Sequence, residues 1–136
     1  MQYFWKLSAS EVDGVIGYQA QKVAPDDQGI RAEYVEFDAP AGHGKGRGYL
    51  VRPAAATGPT PMVLVAHENR GLNPHIEDIA RRLALAGYIA FAPDALFPDG
   101  GYPGNEDAAR AEFAKLDQIK TRADFLAAAA WLLEQD

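Results

Sequence analysis

Between residues 62 and 92 an apolar run, a helical pattern and a second apolar run follow in immediate succession, and this order constrains the fold more than any other feature. Met62-Val63-Leu64-Val65-Ala66 is apolar at consecutive positions, as a strand covered on both faces must be. Asn73-Pro74 then offers an N-cap and a proline at the first helical position, with Glu77 and Asp78 in the first turn where the helix dipole favours acids. Ile76, Ile79, Ala80, Leu83, Ala84 and Ala86 recur at helical spacing, and Gly87 stands where a left-handed residue ends a helix. Tyr88-Ile89-Ala90-Phe91-Ala92 follows at once, and Pro93-Asp94 stops it. Strand, helix and strand in this order predict a parallel sheet with a right-handed crossover, and so an α/β fold.

The flanking segments extend that plan. From Ile30, Arg31-Ala32-Glu33-Tyr34-Val35-Glu36-Phe37 alternates polar with apolar, the period of a half-buried strand. Three glycines between Pro40 and Gly46 lead to Tyr49-Leu50-Val51, which predicts an antiparallel hairpin with a wide connection before the parallel strands. Residues 1–29 read as a loosely structured lead-in ending in the turn-rich Pro25-Asp26-Asp27-Gln28-Gly29, and residues 30–136 as one α/β unit. A loop from Ala95 to Asn105 precedes helical patterns from Glu106 to Lys115 and from Gln118 onward, the last with an alanine-rich face. Helices are expected on both faces of the sheet.

Charge and composition exclude several functions. The net charge is −6, from 19 acidic and 13 basic residues without a long basic run, so no nucleic-acid partner is expected. The longest apolar stretches fall far short of the ~20 residues that span a bilayer. Met1 to Asp13 has Lys6 as its only base and no sustained apolar core, so it does not read as a signal peptide, and a cytoplasmic location is the expectation. The sequence has no cysteine, which removes disulfides and a thiol nucleophile from these residues.

His67-Glu68-Asn69-Arg70-Gly71-Leu72-Asn73-Pro74 lies between a buried strand and a helix, at the carboxyl end where open α/β sheets place ligand sites. Glu and His are costly to bury unpaired, so the segment is a candidate site; capping the helix and tying the loop is the plainer reading. His67, Glu68, His75 and Glu77 lack the i, i+4 histidine spacing of a zinc helix, and no metal or cofactor is expected. The glycine-rich stretches lack the Gly-Lys-Ser/Thr of a phosphate loop and read as turns, with His43 solvated among them.

Three stretches carry a resemblance: Val63 to Pro74, then Gly87-Tyr88-Ile89-Ala90-Phe91-Ala92-Pro93-Asp94, then Gly100-Gly101-Tyr102-Pro103-Gly104-Asn105. In this order and spacing they resemble the dienelactone hydrolase (carboxymethylenebutenolidase) family of the α/β-hydrolase superfamily, from about Ile30 onward. The resemblance implies hydrolysis of an ester or lactone in a small carboxylate-bearing substrate. It implies that Glu68 controls ionisation of a catalytic thiol and that the Asn69 amide contributes to the oxyanion hole. Arg110 is the positional match to an arginine that binds the substrate carboxylate, and His67 and Arg70 join it as candidate substrate-binding residues. The family's nucleophile sits on a Gly-x-Cys-x-Gly elbow after the next strand, with Asp and His partners later still. The sequence therefore reads as the N-terminal half of such a domain, expected to self-associate or to meet a complementary C-terminal half. The alternative is a non-catalytic half-domain that acts as a dimerising or partner-binding module.

Overall fold

The alternating segment at Ile30 forms strand β1 (Ile30–Ala39), which pairs antiparallel with β2 (Gly44–Pro53), Ile30 opposite Pro53 and Ala39 opposite Gly44. This is a computed structural model, and it describes residues 22–135, so most of the lead-in read at 1–29 lies outside the described residues. The hairpin connection is tighter than expected, because Gly44 and Gly46 belong to β2 rather than to the turn. The reason is packing: a side chain at Gly46 would begin 2.2 Å from Phe37 Cζ, and one at Gly48 2.5 Å from Phe91 Cε1. Those two rings meet edge to face, 5.8 Å between centroids.

The predicted strand, helix and strand are present as β3 (Met62–Leu64), α1 (Pro74–Leu85) and β4 (Ile89–Pro93). The sheet order is β1-β2-β4-β3, with β4 antiparallel to β2 and parallel to β3. Every residue of β4 is buried, as its position inside the sheet requires. The run at Met62 was expected to be a fully covered strand of five residues. Instead β3 is three residues long and half-buried, because among the described residues it has a neighbour on one side only. Val65 still donates to Phe91 O at 2.8 Å, and then the chain turns away.

Helix α1 begins and ends as its sequence dictates. The Asn73 side chain accepts from the Ile76 amide at 3.0 Å. Gly87, at φ +103°, lets its own amide reach Ala84 O and the Tyr88 amide reach Leu83 O, which satisfies carbonyls that would otherwise be stranded. Asp78 departs from the expected first-turn role: it is buried and accepts from the Val23 amide at 2.8 Å. Arg81 Nε donates to Val23 O at 2.7 Å, so the end of the lead-in is sewn to α1 and Val23 already belongs to the core.

Strand parity divides the core into two layers. Tyr49, Val51, Ala90 and Ala92 face Ile79, Ala80 and Leu83 of α1. Leu50, Ile89 and Phe91 face the other way, toward Ala128, Trp131 and Leu132 of α3 (Gln118–Leu133). Phe91 is fully buried and its ring lies 5.0 Å from that of Trp131, a burial that stabilises by roughly 1.5–3 kcal/mol. Between these layers and the strand ends, α2 (Glu106–Ala114) packs Ala109 with Ala95, Leu96 and Leu116. Helices thus flank both faces of the mixed sheet. His43, expected to be solvated, instead docks the hairpin turn on α3: its Nδ1 lies 2.5 Å from Asp124 Oδ2, and its amide donates to Asp124 Oδ1 at 2.8 Å. No described helix is long and apolar enough to cross a membrane.

Candidate functional site

The candidate segment occupies the carboxyl end of β3 and leads into α1, as its sequence position implied. His67 turns inward and is 8% exposed. The Ala95 amide donates to its Nε2 at 2.9 Å, so Nδ1 carries the proton and donates to Glu68 O at 2.7 Å. The rings of Phe113 and Phe125 stand edge-on to it, at 6.2 and 6.0 Å. Burial in these surroundings lowers the His67 pKa and outweighs the opposing pull of the Glu68 carbonyl and of Asp94. Both ring nitrogens are engaged by backbone groups, so this residue, grouped from its sequence with the substrate-binding set, joins the loop after β3 to the loop after β4.

That tie presents the next residues outward. Glu68 O accepts from His67 and also from the Gly71 amide at 3.1 Å, which closes a turn with Gly71 at φ +79°. Glu68, Asn69 and Arg70 are all exposed at its crest. Among the described residues the Asn69 amide has no acceptor.

A cleft of about 500 Å³ opens beside the crest. Val65, Ala66, Ile76 and Ile79 supply apolar walls, while Glu68 and Arg70 contribute charge. Sequence reasoning missed a third charged residue, Glu106, the first residue of α2. Its Oε2 lies 3.1 Å from Arg70 Nη1, and its Oε1 accepts from Asn73 Nδ2 at 3.2 Å. Nothing in the sequence separates Glu106 from an ordinary acid favoured in a first helical turn.

Arg110 is not brought to this cleft. It lies exposed on α2 with Nη2 3.0 Å from Asp107 Oδ1, an i, i+3 surface pair. Asp94 forms the turn its position after Pro93 suggested, accepting from the Leu96 amide at 2.9 Å, and burial raises its pKa. Glu77, also raised by burial, faces a separate cleft with Asp94 and Arg47. Among the described residues no group of three His, Cys, Asp or Glu side chains could hold a metal ion.

A mixed sheet with helices on both faces, and an acid and a free amide on the loop at the carboxyl end of a parallel strand, define the N-terminal part of an α/β-hydrolase. The dienelactone hydrolase family model matches residues 47–136, and the chain belongs to that family. The match begins within β2, later than the start near Ile30 that the sequence suggested. A protein of Escherichia coli (strain K12) provisionally described as a hydrolase fragment, YghX, is 60% identical over 91 residues, covering 67% of this chain and 78% of its own length. An E. coli K12 protein provisionally described as a carboxymethylenebutenolidase is 50% identical over 52 residues, 38% of this chain and 19% of its own. The crystal structure of a provisionally assigned dienelactone hydrolase from Klebsiella pneumoniae superposes with a TM-score of 0.61 at 30% identity. That alignment covers 77% of this chain and 45% of the other, so this chain spans less than half the length of that solved relative.

Proposed function

We propose that this chain forms the oxyanion-holding and thiol-controlling side of a hydrolase that opens ester or lactone bonds in small carboxylate-bearing substrates. One observation carries the reading: exposed Glu68 at the rim of an apolar-walled cleft, with the acceptor-free amide of Asn69 beside it. The chain has no cysteine, so the thiol comes from the part of the family's fold that follows these residues. That part would pair along the open side of β3, which places its nucleophile strand next to Glu68.

In this mechanism Glu68 takes the thiol proton, and the thiolate attacks the substrate carbonyl carbon. The Asn69 amide then donates to the negative oxygen of the tetrahedral intermediate, a contribution of a few kcal/mol in a preorganised site. Collapse breaks the ester C–O bond while the proton taken up by Glu68 passes to the leaving oxygen, so the alcohol is expelled or, in a lactone, stays tethered. Water hydrolyses the thioester to the free acid and returns the thiol. Arg70, at the cleft, meets the substrate carboxylate by exchanging its partner Glu106. Arg110, paired with Asp107 outside the cleft, is the weaker candidate for that role.

The test joins this chain to a C-terminal family segment carrying Gly-x-Cys-x-Gly and assays a carboxylate-bearing lactone. Hydrolysis should appear only in the joined protein, vanish on thiol alkylation, and fall on the order of 10²-fold in Glu68→Ala. Hydrolysis by the chain alone, or an unchanged rate in Glu68→Ala, would sink the proposal.

A further inference from the structure

Helix α3 carries two apolar faces, and the sheet uses only one. Thr121, Asp124, Ala128 and Leu132 are buried against the rest of the chain. Ile119, Leu126 and Leu133 are 83%, 64% and 78% exposed. At about 100° per residue, Ile119 lies directly opposite Ala128, and Leu126 and Leu133 lie within about 40° of that outward direction. With Ala123 and Ala130 between them, they form a seam spaced 4-3-4-3, the a/d pattern of a helix that packs on another helix. A further helix laid in the same layer beside α3 would touch its flanks and leave this outward seam open.

We infer that the outward seam of α3 is a docking surface for α3 of a second copy of this chain, the two helices antiparallel about Leu126. The charges select both occupant and direction. Exposed Lys120 and Arg122 flank the N-terminal end of the seam, and exposed Glu134 its C-terminal end. Antiparallel pairing sets Ile119 on Leu133 and Ala123 on Ala130, and in the same register brings Lys120 of each copy to Glu134 of the other. Parallel pairing would set Lys120 beside Arg122 of the second copy and leave Glu134 without a cation. A seam of two heptads buries less than the ~1,200 Å² typical of stable interfaces, so the dimer is weak and concentration-dependent. This inference does not rest on the hydrolase reading.

Because the chain has no cysteine, single-cysteine variants report the geometry directly. On mild oxidation Leu126→Cys should cross-link to itself, while Ile119→Cys and Leu133→Cys should cross-link efficiently only when mixed. Sedimentation of the full chain over a concentration series should show a monomer–dimer equilibrium. Lys120→Glu should weaken it roughly tenfold, and adding Glu134→Lys should restore it. All five positions are exposed, so the variants should keep the circular dichroism of the parent. A chain that stays monomeric at every concentration and forms no linked species overturns the inference. So does self-linking of Ile119→Cys without linking in the mixture, which would mean a parallel pair.

Discussion

The loops that follow β3 and β4 leave adjacent parallel strands at the same end of the sheet, yet Glu68, Asn69 and Arg70 of the first are exposed while Ala95 and Leu96 of the second are 1% and 0% exposed. The two are joined. The Ala95 amide holds the His67 ring, and Leu96 lies beneath Gly71. The second loop is therefore the support on which the first displays its polar groups. A loop built this way separates support from display: residues beneath the crest hold the fold, and residues on it stay exposed, as the proposed function requires.

Substitutions can break that separation, beginning with the support. Leu96→Ala empties a fully buried position and should destabilise by about 2–5 kcal/mol, read from denaturant unfolding. Gly71→Ala should cost about 1–3 kcal/mol, because the residue sits at φ +79° and a new Cβ would lie 2.8 Å from Leu96 Cδ1. If that variant were as stable as the parent, the loops would not be in the contact described.

His67→Phe leaves the buried Ala95 amide without its acceptor and should cost about 1–3 kcal/mol at pH 7.5. It also carries a pH signature. The folded state holds the His67 pKa below the ordinary 6.5, so the unfolded chain binds the proton more readily. The contribution of neutral His67 is then fully present above pH 6.5 and is lost as pH falls through that value toward the folded pKa, by at most ~1.4 kcal/mol per pH unit. His75 shifts in the same direction but is exposed and should add little. As pH falls below 6.5, unfolding midpoints of the parent should decline more steeply than those of His67→Phe. Parallel curves would assign the acid sensitivity elsewhere. The smallest effect belongs to the crest: Arg70→Gln, losing an exposed ion pair, should change stability by no more than about 0.5 kcal/mol. In the joined hydrolase the same variant should raise KM for a carboxylate-bearing ester and leave a neutral ester unaffected.

Much of the architecture could be read from local patterns. The caps at Asn73 and Gly87 and the continuous apolar character of β4 depend on neighbours a few residues apart, and each is realised as read. Strand β1 forms but switches its covered side, with Ile30 and Ala32 on one face and Val35, Phe37 and Ala39 on the other. Expectations failed where a distant partner decided the outcome. Asp78 suits a first helical turn but is drawn to the Val23 amide, 55 residues away in sequence. His43 looks like a loop residue until the hairpin turn meets Asp124, 81 residues on. At the candidate site, Glu68, Asn69 and Arg70 could be singled out because they lie together in one short loop, and that loop is the exposed crest. The cleft's third charge, Glu106, was not, because its approach to Arg70 depends on how α2 returns to the sheet.

The sequence by itself determined the order of strands and helices, their caps, and the motifs that mark the family, since each is a matter of period and short-range hydrogen bonding. Only the tertiary structure decided that His67 supports the loop and that Arg70 rather than Arg110 reaches the cleft. It also decided that α3 keeps an apolar seam facing away from the sheet. Those outcomes depend on which side chains packing brings within hydrogen-bonding or van der Waals distance, and the spacing of residues along a chain does not specify it.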